Sequence, residues 1–433
     1  MQPNQTVAIP SSTKEGSKSK YLVPFILVAF LFFLWGMVHN LDGILIPHLK
    51  KACQLNNSQS TLIDVAIFFA YFLMAIPAGM ILRKWGYKKG IIAGLIVAGI
   101  GALMFLPAAN SRTYELFLLA LFVIGCGITI LETAANPYAA VLGDPKGAST
   151  RLNLGAAING LAVFIAPLIG SAFIFSGINH TAEELTAMTE VERLTYLDME
   201  SASVKTPYMF IAGGFLLVAI LFFFFKLPEV KDESRTARFS DFIRAFRHKH
   251  LTWAVIAQFA YVGAQVCVTS FFVRMAMKYG GVDEKTAGFY LGTIYGISFL
   301  AGRFIGTGLT RFFSSERLLL TFSIIAAALC CVAMLSHGKV IIYSLGAMGF
   351  FMSIMFPTIF ALGLVGLDKE TKIGGSLLVM AIVGGAVLPY IMGRIIDAFN
   401  DNIQIGYIVP LICFLVIIYF AISGYKVKKI EQN

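Results

Sequence analysis

Charged residues are scarce in this chain, and their scarcity limits the classes of protein it can be. Only 13% of its 433 residues are Asp, Glu, Lys or Arg, whereas a water-soluble domain carries about 25%. Hydrophobic residues make up 58% of the chain, and its 38 Phe outnumber all Lys and Arg together. Because one aqueous core cannot hide so much apolar surface, lipid must surround most of it. The composition therefore predicts a membrane protein.

Cysteines are also few, and their arrangement does not indicate chemistry. The six show no spacing typical of a metal site or a disulfide framework, and five lie in apolar runs where we expect them to pack. The sequence also lacks the spacing of a phosphate loop or a nucleophile–base pair, which argues against a membrane enzyme. We therefore expect no enzymatic activity, no bound metal and no cofactor.

The net charge of +10 does not indicate a nucleic-acid partner. The basic residues sit in short loops between apolar runs, where they orient membrane helices. A nucleic-acid-binding domain would instead collect them on one face. The first twenty residues are polar and contain no recognisable cleavable signal sequence. The expected surroundings of the chain are therefore the lipid bilayer and small molecules, with no nucleic acid.

Twelve apolar runs of about twenty residues are long enough to cross a bilayer as helices. A basic stretch at 226–250 divides them six and six. Most Lys and Arg fall on the side that holds both termini, which predicts cytoplasmic termini for a multi-pass protein of the inner membrane. The runs, numbered as spans one to twelve, are 22–47, 60–82, 90–108, 114–142, 152–176, 207–226, 251–277, 286–311, 317–336, 340–365, 372–397 and 405–425.

These runs predict an all-α membrane protein of 12 transmembrane helices in two six-helix halves. The halves repeat one another, because Pro137 in span four and Pro357 in span ten each precede a Leu-Gly pair at the same distance. Two repeated halves joined by a basic loop are typical of the major facilitator fold. The predicted parts are a tail at 1–20, a bundle at 21–226, a cytoplasmic loop at 227–250, a second bundle at 251–426 and a tail at 427–433.

A second feature of that fold is the turn between spans two and three. It combines glycines and bases at Gly79, Arg83, Gly86 and Lys88. We expect the glycines to allow a tight turn and a close approach of helices. We expect the cations to hold the turn on the cytoplasmic side and to pair with helix ends as the halves move.

Eight segments match the sequence pattern of one known family. They are FFLWGMVHNLDGILIPHL (32–49), AYFLMAIPAGMILRKWGYKKGII (70–92), LETAANPYAAVLG (131–143), RLNLGAAING (151–160), TPYMF (206–210), YVGAQ (261–265), AGRFIGT (301–307) and FMSIMFPTIFALGL (351–364). In these segments the chain resembles the fucose–proton symporter family of major facilitator sugar transporters. The resemblance implies uptake of a neutral monosaccharide together with a proton, by alternating access.

The resemblance also implies roles for particular residues. The acid of span four in that family falls on Glu132, the asparagine of span five on Asn159, and the asparagine of span one on Asn40. The family's aspartate in span one falls on Gly43, whereas this chain has Asp42 one position earlier.

Glu132 also stands out without the family, because an ionisable group within an apolar span is costly and usually marks a substrate or proton path. Asn136 lies one turn along the same face. A carboxyl group kept from water holds its proton more readily and releases it when water enters. We predict that Glu132 binds sugar hydroxyls and carries the coupled proton, and that Asp42 is the second proton-carrying group.

Amide and aromatic side chains suit a sugar, since a pyranose presents many hydroxyls and an apolar face. Trp35, His39 and Asp42 share one face of span one. Spans one, four, five and seven hold no Lys or Arg near their middles, which argues against an anionic substrate. The predicted substrate-binding residues are Trp35, Asn40, Glu132, Asn136, Asn159 and Gln265, the last lying in a polar stripe of span seven with Gln258, Tyr261 and Thr269.

Two other charged residues within spans are expected to be structural. Asp64 falls close to the predicted outer end of span two, and Arg303 is expected to anchor or gate the cytoplasmic side. Two other transport functions stay open at this point. A multidrug or cation exporter of the same superfamily would also use buried acids, and an uncoupled sugar facilitator would need no proton. The sugar (L-fucose, or a glucose- or galactose-type hexose) and the ion (proton or sodium) are open as well.

Overall fold

The computed structural model describes residues 17–142, 148–178, 180, 182–225, 245–367 and 371–427. Within those ranges the chain is helical and contains no strand. Ten helices there are long and apolar enough to cross a membrane. One of them, Asn57–Ser111, covers the second and third predicted runs together, and the eighth run is helical but interrupted. Most of the predicted central loop and most of both predicted tails lie outside the described residues.

In the first half, the long helices follow the predicted runs. They are Ser17–Ala52 for span one, Leu62–Leu103 for spans two and three, Tyr114–Val141 for span four, Ala148–Phe173 for span five and Lys205–Phe224 for span six. Four short helices lie between them: Asn57–Ser60, Phe105–Ser111, Ala182–Ala187 and Glu190–Ser203.

In the second half, several spans are broken into shorter pieces. Spans seven and nine are the continuous helices Lys249–Gly280 and Ser315–Leu335. Span eight comprises Glu284–Tyr290, a π-helical segment Leu291–Gly296 and Ile297–Leu309. Span ten comprises Lys339–Met352 and Met355–Leu364. Span eleven comprises Thr371–Met380, a 3₁₀ segment Ala381–Val383 and Gly384–Ala398, and span twelve comprises Ile403–Gly406, Ile408–Tyr419 and a π-helical segment Phe420–Gly424.

The break in span ten follows from Pro357. Proline has no amide hydrogen to donate four residues back, so the carbonyl group of Ser353 is left free. Nη2 of Arg303 donates to that carbonyl at 3.4 Å, and the hydroxyl of Tyr261 donates to the carbonyl of Met352 at 3.0 Å. Arg303 therefore anchors the broken helix, and its expected place on the cytoplasmic side stays a prediction.

The two halves meet along three pairs of helices. Span one packs on span seven, span two on span eleven, and span five on span eight. Spans four and ten are not among the helix pairs that pack closely across this interface in the described part of the chain. The interface therefore runs through the helices that carry the predicted polar faces of spans one and seven.

Polar contacts join the halves at one end of the bundle. We call it the distal end, and it holds the loops that connect each odd-numbered span to the next span. The backbone amides of Asn57 and Ser58 donate to the two carboxylate oxygens of Asp397, at 2.9 and 2.8 Å. Lys51 lies 2.9 Å from Glu284 across the same interface. Since both pairs connect opposite halves, the molecule is closed at its distal end.

Candidate functional site

Glu132 belongs to a polar cluster within the first half. Its half-buried carboxyl group interacts with the hydroxyl of Tyr71 on span two. That hydroxyl is also 2.8 Å from Nε2 of His39 on span one. We call Glu132, Tyr71 and His39 the central polar cluster. The acid of span four is thus turned towards spans one and two, as a group in a substrate or proton path requires.

The central polar cluster borders a small cavity between the two halves. His39 contributes to both the cluster and the cavity wall. One wall of the cavity belongs to the π-helical part of span eight, and such segments are frequent at functional sites. The lining residues are His39, Asn40, Gly43, Val163, Pro167, Thr269, Leu291 and Tyr295. Both halves therefore contribute to one polar space at the centre of the interface.

Each of the three predicted asparagines donates to a backbone carbonyl group. Nδ2 of Asn40 donates to the carbonyl of Gly36 at 2.8 Å, although its side chain also lines the cavity. Nδ2 of Asn159 donates to the carbonyl of Phe32 at 2.9 Å, and so joins span five to span one. Asn136 is exposed, and its Nδ2 donates to the backbone carbonyl one turn before it, at Glu132. Each amide keeps its carbonyl oxygen as a further acceptor.

The predicted aromatic and glutamine ligands lie at different depths. Trp35 is buried, and its ring centroid is 4.4 Å from that of Phe32, so it packs in the core of the first half. Gln265 is half-buried beside the hydroxyl of Tyr295, which lines the cavity. Gln265 therefore lies closer to the cavity than Trp35 does.

Asp42 is buried, and its Oδ1 has no hydrogen-bond partner. Gly43, on which the family's aspartate falls, packs closely against the second half. A Cβ atom on Gly43 would lie 2.7 Å from the side chain of Leu291 and 3.1 Å from the carbonyl oxygen of Thr269. An aspartate at position 43 would therefore collide with spans seven and eight in this state, whereas Asp42 points elsewhere.

The glycines and bases between spans two and three play different parts. Gly86 has φ 80° and ψ 168°, a conformation open to glycine alone, and so makes the tight turn. Nζ of Lys88 donates to the carbonyls of Phe223 and Phe225 at 3.0 Å, at the end of span six. Arg83 is exposed. The expected close approach does not occur at Gly79, where a Cβ would meet nothing within 4 Å.

Sequence reasoning missed two residues: Tyr71, which contacts Glu132, and Arg274, which joins the two halves. Tyr71 lies seven residues after Asp64, which puts both on one face of span two, and this spacing was the available signal. Arg274 is a cation inside predicted span seven, close to the end of that span and away from its middle. It donates to Asn57 and Ser60 of the first half, both at 3.1 Å.

Comparison with known proteins decides the family. The sequence pattern of the Major Facilitator Superfamily matches residues 25–371. The chain is 39% identical to the L-fucose-proton symporter of Escherichia coli, covering 96% of this chain and 97% of that protein. The chain belongs to the fucose–proton symporter family of the Major Facilitator Superfamily.

Other members support this assignment. The transporter is 38% identical to the glucose/galactose transporter of Brucella abortus, over 96% of this chain and 98% of the relative. Among solved structures it matches FucP in the outward conformation, with a TM-score of 0.70 and 38% identity over 94% of this chain and 99% of that one. The predicted all-helical major facilitator fold is confirmed, and the chain is a multi-pass transporter rather than an enzyme.

Proposed function

We propose that this transporter carries a neutral monosaccharide together with a proton into the cell, across the inner membrane and with both termini in the cytoplasm. Curated relatives at 38 to 39% identity are named for L-fucose with a proton and for glucose and galactose. Under this proposal the distal end faces outwards, and the closed distal end is one stage of alternating access.

The observation that carries the proposal is the polar cavity between the halves. Its wall offers an imidazole, an amide, two hydroxyls and no Lys or Arg among the lining residues. Such groups donate to and accept from sugar hydroxyls, whereas an anionic substrate would require a cation. Further acceptors on the first half are the side-chain carbonyl oxygens of Asn40, Asn159 and Asn136. Gln265 lies opposite them, on the second half.

The central polar cluster supports coupling to a proton. Glu132 is half-buried, and its partners Tyr71 and His39 connect it to span one and to the cavity. A carboxyl group in such a place changes protonation when water gains or loses access to it. Glu132 thus serves as the inner proton carrier and a sugar ligand, with Asp42 as a second carrier.

The experiment uses the full-length protein in proteoliposomes with labelled L-fucose, D-glucose and D-galactose, with and without an inward proton gradient. For Glu132→Gln we expect loss of gradient-driven accumulation, because the amide cannot release a proton. Exchange of labelled for unlabelled sugar should continue, since it moves no net proton. Accumulation by Glu132→Gln equal to that of the unmodified protein would overturn the coupling role.

A matched control is available on the same helix. Glu115 is exposed in the first turn of span four, so Glu115→Gln makes the same chemical change away from the cluster and should leave accumulation unchanged.

Replacing the proton gradient by a sodium gradient distinguishes the two coupling ions. Uptake that only equilibrates would instead indicate an uncoupled facilitator, and efflux of organic cations would indicate the exporter function.

A further inference from the structure

A short polar ladder joins spans two and seven across the interface between the halves. The hydroxyl of Ser270 donates to the two carboxylate oxygens of Asp64, at 3.2 and 3.0 Å. One turn nearer the distal end, Nη1 of Arg274 donates to Oγ of Ser60 at 3.1 Å. All four side chains are buried. The ladder holds a carboxylate and a guanidinium together, out of water, between the two moving halves.

A second carboxyl group faces this ladder. Asp42 of span one is close enough for its charge to interact with that of Asp64, and its buried Oδ1 accepts no hydrogen bond. Arg274 is the cation that interacts with Asp64. Arg274 also interacts with Asp401 and Asp397 of the second half, which have hydrogen bonds of their own to Lys278 and to the backbone of Asn57 and Ser58. Among the described residues, Arg274 is thus the cation that interacts with this carboxyl pair, through Asp64.

The other titratable neighbours of the two carboxyl groups are tyrosines and cysteines, which do not change this balance of charge. Tyrosine and cysteine side chains are neutral at physiological pH unless strongly perturbed towards ionisation. Burial acts against their ionisation. Those facing Asp64 are Tyr114 and Cys267, and those facing Asp42 are Tyr71 and Tyr208.

Two ionised carboxylates with a single cation would leave one uncompensated charge in a buried site, at a cost of several kcal/mol. A single proton shared between the carboxyl groups removes that charge and relieves their repulsion, so the two titrate as a unit. The unpaired Oδ1 of Asp42 is a place where such a proton can reside.

We propose that Asp64 is a further proton-carrying residue of the transport cycle, sharing one proton with Asp42 while the distal end is closed. The proposal rests on proton-coupled transport and adds a residue to it. Opening the distal end separates Ser270 and Arg274 from span two, admits water to both carboxyl groups and lets the proton exchange with the outside. Tyr71 lies near Asp42 and contacts Glu132, so polar groups continue from the pair towards the central cluster.

The decisive variant is Asp64→Asn in the full-length protein. Its amide oxygen can still accept from Ser270, but it cannot carry a proton. In proteoliposomes we expect loss of accumulation driven by a proton gradient, with sugar exchange still measurable as evidence that the variant folds. Accumulation equal to that of the unmodified protein would overturn the proposal.

A second measurement decides the case in which exchange is lost as well. Infrared spectra of the purified protein report protonated carboxyl groups through their carbonyl stretch. Both Asp64→Asn and Asp42→Asn should remove intensity from that band, because either change abolishes the shared proton. An unchanged band in Asp64→Asn would show that this group holds no part of the proton.

Controls separate this inference from the proposed function. Asp198→Asn makes the same chemical change at an exposed carboxylate paired with Arg112 at the distal end, and should leave accumulation and the infrared band unchanged. If Glu132→Gln uncouples transport while Asp64→Asn does not, the inference fails and the proposed function stands. If the unmodified protein accumulates no sugar with any proton gradient, the proposed function fails first.

Discussion

Tyr71 is the residue that connects the central polar cluster. One hydroxyl group contacts both His39 and Glu132, which lie on different helices. Its ring centroid is 5.5 Å from that of His39, so the aromatic contact does not depend on the hydroxyl. The hydroxyl can therefore be removed while the packing of span two against span one is kept.

For Tyr71→Phe we expect weaker sugar transport with little loss of fold stability. Removing one partner of a buried hydrogen bond costs about 1–3 kcal/mol, or about 5- to 150-fold in binding. The half-saturating sugar concentration for uptake should therefore rise within that range, and proton-driven accumulation should fall. Tyr407→Phe is the control, because the buried hydroxyl of Tyr407 has no partner. Equal uptake by the two variants would contradict the role of Tyr71.

At the scale of helices, prediction from sequence succeeded where the lipid environment requires an apolar run to be helical. A backbone in hydrocarbon must satisfy its own hydrogen bonds, so an apolar run of about twenty residues forms a helix. The interruption near Pro357 also had a signal, but the π-helical segment at Leu291–Gly296 had none, since it depends on packing against span five. Glu132 was predictable because acids are rare in such runs. The contact between Glu132 and Tyr71 was not predictable, because periodicity gives a helix face without naming the helix opposite.

The turn between spans two and three gives a prediction at this scale. For Gly86→Ala we expect a loss of about 1–3 kcal/mol, because an alanine at φ 80° and ψ 168° is strained even though its Cβ would meet nothing within 4 Å. Gly79→Ala also places its Cβ in open space but inside an ordinary helix, so it should stabilise by about 0.5–1 kcal/mol. Thermal unfolding in detergent measures both, and a shared direction of change would contradict the assignment.

At the scale of the whole molecule, the distal end holds the two halves together through pairs that differ in exposure. Asp397 accepts from the backbone of the first half, whereas Asp401 is half-exposed and lies 2.7 Å from Lys278 and 3.6 Å from Lys50. Burial acts to raise the pKa of Asp401, but hydrogen bonds from Lys278 and Asn57 outweigh it, so that the pKa lies below its usual value. Asp401 is therefore ionised whenever the transporter works near neutral pH.

This lowered pKa predicts that Asp401 contributes to distal closure independently of pH in the working range. A carboxyl group with a lowered pKa in the closed state stabilises that state fully above its ordinary pKa of about 3.9, and loses this effect only as the pH falls through the lowered value. Spin labels can be placed on Val191→Cys and Leu335→Cys, both exposed near the distal end. In protein carrying Asp42→Asn and Glu132→Gln, where the shared proton and the proton of Glu132 are both absent, they should report the same closed fraction from about pH 8 to about pH 5. Asp401→Asn added to that background should lower the closed fraction equally at every pH. A closed fraction that falls towards pH 5 only when Asp401 is present would assign the titration to this exposed bridge and not to the buried carboxyl pair.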